Sequence, residues 1–262
     1  MCAAVDPYSI NGAIITAKSK KKNLYVLNNL INRSGLLNIT DSIHKIAGRI
    51  RICFKDANII AEAVDQLIKL FSEPLDFDAL IFINVQIQNF PNFCEAISHC
   101  TSLSILSFTS CSLTDDKIEL LIPSLRNLKH LQTFDISHDN VGPVMFNNLC
   151  HALCMNHELE SFHWKDNQLG DPSSFVDLVK SVPNLSQVDF RGIILSESWI
   201  KALCQLLDES WQLTSIKITD NNDILRKKIE KNEMRRELLR RGPAARMIRY
   251  AIPDSNDLFD EF

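Results

Sequence analysis

Three sets of residues in this chain have types and spacings that chemistry could use. Cys150, Cys154 and His157 stand at i, i+4 and i+7, so a helix would carry two thiols and an imidazole along one face, as metal ligands are carried. A structural zinc site takes four ligands and only three are offered. Leu149, Ala152 and Leu153 already mark the buried side of that segment, so no metal is expected. Asp135, His138, His163, Asp166 and Asp189 would make an acid–base cluster if the fold gathered them. No nucleophile motif, carboxylate pair or Gly-rich phosphate loop accompanies them, and the chain holds only seven glycines. The expectation is a protein that is not an enzyme and needs no cofactor, with these side chains facing solvent or a partner. The third set is cationic: Lys165, Arg191 and Lys217, spaced about one structural period apart.

That period defines the elements that must position all of them. Leu159, Phe162, Trp164, Asn167 and Leu169 fill the pattern L-x-x-L-x-L-x-x-N-x-L. The same slots hold Leu103, Leu106, Phe108, Cys111 and Leu113, then Leu131, Phe134, Ile136, Asp139 and Val141, 28 positions on. Further copies start at Phe77, Leu185 and Leu213, and Ile50-x-Ile52 marks a degenerate first one. Each strand-like motif follows a helical L-x-x-A-L-x-x-N pattern, as in Leu149, Ala152, Leu153 and Asn156 before Leu159. A period of two and a period of 3.6 alternating at fixed distance predict an α/β solenoid of about seven units across residues 47–223.

With helix in every unit, the chain resembles the ribonuclease-inhibitor-like subfamily of leucine-rich repeats. The resemblance covers about two thirds of the sequence and speaks to fold. It implies a curved solenoid, with parallel strands on the concave face, helices on the convex face and helical caps. Where the repeat normally places Asn to satisfy turn amides, this chain has Val85, Cys111, Asp139 and Ile193, so those turns must bond otherwise. Two families of similar architecture offer a comparison for function. The Ran GTPase-activating proteins present a critical arginine beside the concave strands and end in a long acidic region. Arg191 is the only arginine on the strand columns here, and the acidic tail is short. Tropomodulins close a short solenoid with a long C-terminal helix and bind a cytoskeletal filament.

Composition excludes little more. The 262 residues are 45% apolar with a formal charge of −4, which gives no excess of either sign to suggest nucleic acid or membrane. No apolar run is long enough to span a bilayer, and Met1 to Ile15 lacks the basic start of a targeting signal. Most of the eight cysteines fall in repeat slots, which favours buried, reduced thiols and a cytoplasmic or nuclear protein. The organisation expected is an N-terminal segment and helical cap over residues 1–46, the repeats over 47–223, a basic cap helix within 224–250, and an acidic-aromatic tail over 251–262. The cap helix carries Lys227, Lys228, Lys231, Arg235 and Arg236, and Leu225, Ile229, Met234, Leu238 and Leu239 give it an apolar stripe. Lys18 to Lys22 reads as a solvated basic turn ahead of a helix, with nuclear import as the functional alternative.

Strand alternation predicts which side chains line the concave face. One column runs Ile81, Ser107, Asp135, His163, Asp189 and Lys217; a second runs Ile83, Thr109, Ser137, Lys165, Arg191 and Thr219; a third runs Asn84, Ser110, His138, Asp166, Gly192 and Asp220. The expected contact surface combines Ile81, Ile83 and Ile105 as apolar anchors with Asp135, His163, Lys165, Asp189, Arg191 and Lys217 as its polar part. The alternative for the isoleucines is that the N-terminal segment folds back over them. Together these features predict a non-enzymatic scaffold or subunit of a eukaryotic intracellular assembly, cytoskeletal or axonemal, which takes a protein partner on the concave face and termini. Neither nucleic acid nor a membrane span is expected, nor self-association. The competing functions are a GTPase-activating protein of the Ran-activating type and a substrate-recognition subunit of a ubiquitin ligase.

Overall fold

The alternating runs become strands and the 3.6-residue runs become helices, in strict succession. The computed structural model describes residues 13–18, 21–27, 30–44, 48–219 and 222–240. The chain opens with β1 (Ala13–Lys18), β2 (Lys21–Leu27), β3 (Leu30–Ile31) and α1 (Arg33–His44). The same order returns in β4 (Ile50–Lys55), β5 (Asn58–Ile59) and α2 (Ala61–Phe71), and in β6 (Phe77–Ile83), β7 (Gln86–Ile87) and α3 (Phe90–Ser98). Four simpler strand–helix units follow: β8 (Ile105–Thr109) with α4 (Asp115–Leu125), β9 (Thr133–Ser137) with α5 (Pro143–Leu153), β10 (Ser161–His163) with α6 (Pro172–Ser181), and β11 (Gln187–Phe190) with α7 (Glu197–Glu209). The last strand, β12 (Ser215–Ile218), leads into α8 (Asp223–Arg240).

The main sheet is ordered β1-β2-β4-β6-β8-β9-β10-β11-β12, and β3-β5-β7 form a small second sheet. Among the described residues every pairing from β2 to β12 is parallel, and β1 against β2 is antiparallel. Sequential parallel strands with a helix in each crossover make an open, one-dimensional stack, in which each unit buries its apolar edge on the next. The fold is the α/β solenoid expected.

The N-terminal end differs from expectation. The apolar segment around Leu24 is a strand, β2, paired with β4 from Lys22↔Ile50 to Leu27↔Lys55, and among the described residues of this end the helix is Arg33–His44. A short apolar run has no decisive period of its own, so the free backbone edge of β4 selects the strand. Strand and helix thus alternate from before residue 47. The basic run lies at the β1–β2 hairpin, with Lys18 opposite Lys21, rather than in a turn ahead of a helix. β1 and β2 extend the sheet edge and do not fold across Ile81, Ile83 or Ile105. The tail at 251–262 lies outside the described residues, as do Lys20 and Asp220.

Phenylalanines form the spine of the core. Phe82 stacks between Phe54 at 5.3 Å and Phe108 at 5.0 Å and meets the edge of Phe93 at 5.3 Å. Farther on, Phe134 stacks on Phe162 at 6.3 Å, and Phe146 packs edge-on against Trp164, Phe190 and Trp199. All the rings flanking Phe82 are fully buried. At the end of the strands the chain turns through left-handed residues: Asp56, Asn84, Ser110, His138 and Asp166 at φ of 52 to 63°, then Gly192 at 81°. From Asn84 to Gly192 the third column is therefore a row of turn residues on the rim, not part of the pleated concave surface. Gly192 has a second reason to be glycine, because a Cβ there would collide with the Asp166 carboxylate.

The turn-amide slots show how substitutes work. Asn167 is the complete version: its Oδ1 accepts from the Val141 amide at 3.0 Å and the Asp139 amide at 3.3 Å, and its Nδ2 donates to the Ile136 carbonyl at 2.9 Å. Asp139 reproduces half of this, accepting from the Leu113 amide at 3.1 Å, while its Oδ2 is buried without a hydrogen bond. Cys111 donates its thiol to the Phe82 carbonyl at 3.4 Å.

Candidate functional site

Beyond a register shift at the start of β6, parallel pairing lines up the inward residues of successive strands. The register runs Cys53↔Ile81, Ile81↔Ser107, Ser107↔Asp135, Asp135↔His163, His163↔Asp189 and Asp189↔Lys217, so one transverse row crosses the concave face. A second row starts Lys55↔Ile83, Ile83↔Thr109 and Thr109↔Ser137, and Lys165 and Arg191 lie just past the ends of β10 and β11. Ile105 pairs with Ala79 and sits diagonally from Ile81, so the three isoleucines share one end of the strip. Cys53 joins them; sequence reasoning missed it because the first repeat is degenerate. All four are half-buried rather than fully exposed.

The polar end is more organised than a row of solvated side chains. Asp135 accepts from the Ser137 hydroxyl at 2.5 Å and the Ser107 hydroxyl at 3.3 Å, and His163 Nδ1 lies 3.7 Å from its Oδ2. Ser137, expected to face outward, is fully buried beneath this network. Asp189 requires a correction as a contact residue: it is 2% exposed. Arg191 lies over it, donating from Nε to Oδ1 at 2.9 Å and from Nη2 to Oδ2 at 2.7 Å, with the Arg191 amide also donating to Oδ1 at 3.2 Å. Burial pushes the Asp189 carboxyl up, but the Arg191 hydrogen bonds and the nearby Lys165 charge outweigh it and hold the group below the usual carboxylate range. Asp189 thus positions Arg191 and cannot itself meet a partner. Arg191 keeps a half-exposed side chain, Lys217 is exposed and Lys165 half-buried. The Asp189 carboxylate holds this guanidinium in a two-pronged grip.

At the opposite rim the structure holds a charge network that sequence reasoning did not find. The register shifts between Ile50/Arg51 and Phe77/Ala79, which inserts Asp78 as an extra residue in β6. Its buried carboxylate takes the Arg51 Nε at 2.6 Å, Arg49 Nη1 at 3.1 Å and the Ser104 hydroxyl at 2.6 Å. Burial raises Asp78, and the Ser104 and arginine contacts more than reverse this, leaving the group lowered. A bulge leaves no periodic signature, which is why Asp78 looked like an ordinary strand residue.

The basic helix spends part of its charge on docking. In α8, Lys228 pairs with Asp208, and the Arg235 guanidinium lies 4.9 Å over the Trp211 ring. Leu225 is fully buried and Ile229 packs on the core, but Met234, expected in the apolar stripe, is 56% exposed. Its neighbour Asn232 takes the buried place and donates to the Ser210 carbonyl at 2.9 Å and the Leu213 carbonyl at 3.3 Å. Asn156 does the same to Leu125 and Leu128, so α8 stands where another repeat helix would. Lys227 is exposed and Lys231 half-buried; the Arg236 side chain lies outside the described residues, as do those of Leu238 and Leu239.

The metal-like trio is not gathered: Cys150 is buried in α5, Cys154 donates its thiol to the Cys150 carbonyl, and His157 is exposed. Among the described residues no three His, Cys, Asp or Glu side chains could hold an ion, and no helix is long and apolar enough to cross a membrane. Seven described cysteines are unpaired. Burial pushes the Cys94 thiol up to about 12 and Cys111 to about 11, which keeps them unreactive.

The fold defines a leucine-rich repeat solenoid, and its concave rows are laid out by strand register. No protein-family model matches the sequence, and no curated protein matches it. Among solved structures the chain is similar to the tropomodulin C-terminal domain of Caenorhabditis elegans, at 15% identity and a TM-score of 0.50, over 60% of this chain and 100% of that one. It is also similar to the leiomodin-1 actin-binding site 2, at 13% identity and a TM-score of 0.36, over 62% of this chain and 80% of that one. An internalin from Listeria monocytogenes matches at 13% and 0.38, over 80% and 84%. The tropomodulin likeness is one of fold.

Proposed function

We propose that this chain is a non-enzymatic interaction module, a scaffold or subunit of a larger intracellular assembly, that holds a protein partner on its concave face. The supporting observation is the transverse row from Cys53 to Lys217, aligned by strand register and not crossed by β1 or β2. At ~4.8 Å per strand, the seven strands from β4 to β12 give a strip on the order of 30 Å, enough for a helix of about 20 residues. Ile81, Ile83, Ile105 and Cys53 supply apolar contact, and Lys165, Arg191 and Lys217 supply charge. α8 adds a basic outer face for an acidic surface. The subtype we assign is ribonuclease-inhibitor-like, because every unit closes with a helix. A short solenoid closed by a long helix, as in tropomodulins, makes a cytoskeletal or axonemal assembly the setting to test first.

Affinity purification with cross-linking, on the full chain and on a Lys165→Glu/Lys217→Glu variant, tests the surface. Arg191 is a poor choice for reversal because its loss uncovers the Asp189 carboxylate. The expected result is cross-links from one partner to strand residues of β6–β12 and loss of that partner in the variant. Equal capture by both chains removes the concave face from the account.

A further inference from the structure

The cationic end of the strip has a candidate occupant in the chain itself. Asp189 is buried beneath Arg191 and Asp135 is largely covered and held by two serine hydroxyls, whereas Lys165, Arg191 and Lys217 reach the surface, so the two rows present mainly cations at this end. Residues 251–262 present the complement: Asp254, Asp257, Asp260 and Glu261, interleaved with Leu258, Phe259 and Phe262, and no lysine or arginine. We infer that this acidic-aromatic segment is a ligand of the concave strip, so that the chain carries a sequence able to occupy its own binding surface. The inference rests on the concave face being a protein-binding surface and names the chemistry of what it takes: an extended peptide with carboxylates toward β10–β12 and aromatics toward Ile105 and Ile81.

The distances permit it. Asn232 on Ser210 and Leu213, and Arg235 on Trp211, place the second half of α8 beside the loop that enters β12. From Arg240 the thirteen residues 241–253 can span at most about 45 Å, whereas β12 to β8 is four strand spacings, about 19 Å. Residues 254–262, extended over at most about 30 Å, are long enough to set Asp254 and Asp257 by Lys217 and Lys165 while Phe259 and Phe262 reach the isoleucines. Exposed ion pairs are individually weak, so affinity depends on the aromatic contacts and falls with salt.

The test uses a fluorescent synthetic peptide of residues 251–262. It is titrated against the full chain and against a full chain carrying Asp254→Asn, Asp257→Asn, Phe259→Ala and Phe262→Ala, whose tail can no longer compete. Tethering gives the native tail a high effective concentration, so the tail variant should bind the peptide about tenfold or more tightly than the native chain. Adding Lys165→Glu and Lys217→Glu should abolish that binding with the thermal midpoint retained, and Phe259→Ala/Phe262→Ala in the peptide should do the same. The inference is overturned if the tail variant does not bind the peptide, if Lys165→Glu/Lys217→Glu leaves binding unchanged, or if Lys227→Glu/Lys231→Glu on α8 removes it instead. Peptide binding and partner capture separate the two claims. Capture that needs Lys165 and Lys217 without peptide binding sinks this inference alone; peptide binding with capture indifferent to those lysines sinks only the scaffold surface.

Discussion

Asp139 shows how one residue departs from the repeat and at what cost. Its Oδ1 does the work of the asparagine at 167, but its Oδ2 is buried without a donor, and burial pushes its carboxyl up despite the turn amides around it. Asp139→Asn would supply an amide aimed as Asn167 aims its own, toward the carbonyl of the preceding strand. The expected gain is about 1 kcal/mol at pH 7, read as a higher urea midpoint. The pH dependence follows from the raised folded value. Above it the native state holds an unfavourable buried charge; as pH falls through it the carboxyl is protonated in the fold before it is in the unfolded chain, and stability is regained. The advantage of Asn should therefore shrink toward pH 4, and a lower midpoint for the variant at pH 7 would contradict this account. The sequence shows that Asp139 stands in an asparagine slot. Its missing partner is a matter of three-dimensional packing.

At the scale of elements, α8 is held by a polar residue that the apolar stripe did not suggest. A helix docked only by Leu225, Ile229 and Met234 would turn Met234 inward; instead Asn232 is 1% exposed and closes two carbonyls at the end of α7. Asn232→Ala leaves both carbonyls without that donor, at a cost of about 1–3 kcal/mol. Hydrogen exchange should quicken across α8 and leave α2 and α3 unchanged, because each unit touches only its neighbours. Uniform loss of protection through the chain would refute the local role. The same scale explains β2. Its residues fall in the segment expected to be a helical cap, and the open edge of β4 made them a strand instead.

For the whole molecule, stability runs along a line of aromatic rings rather than around a centre. Phe82 sits inside that line, with partners on both sides and beneath it. Phe82→Ala should cost about 3–5 kcal/mol, since the cavity it leaves is walled by neighbouring repeats. Thermal unfolding should then begin in units β4 to β8, seen as early loss of protection there while β10 to β12 persist. One unchanged cooperative transition would show that the stack does not behave as near-independent units. Sequence alone determined the solenoid, because two fixed periods recurring in alternation allow only stacked strand–helix units, and it placed Ile81, Asp135, His163 and Lys217 on one face. Tertiary structure alone decided what those residues can do. Whether a carboxylate faces a partner, like the one expected at Asp189, or lies beneath a guanidinium depends on a contact between side chains two residues apart, and no periodicity encodes its geometry.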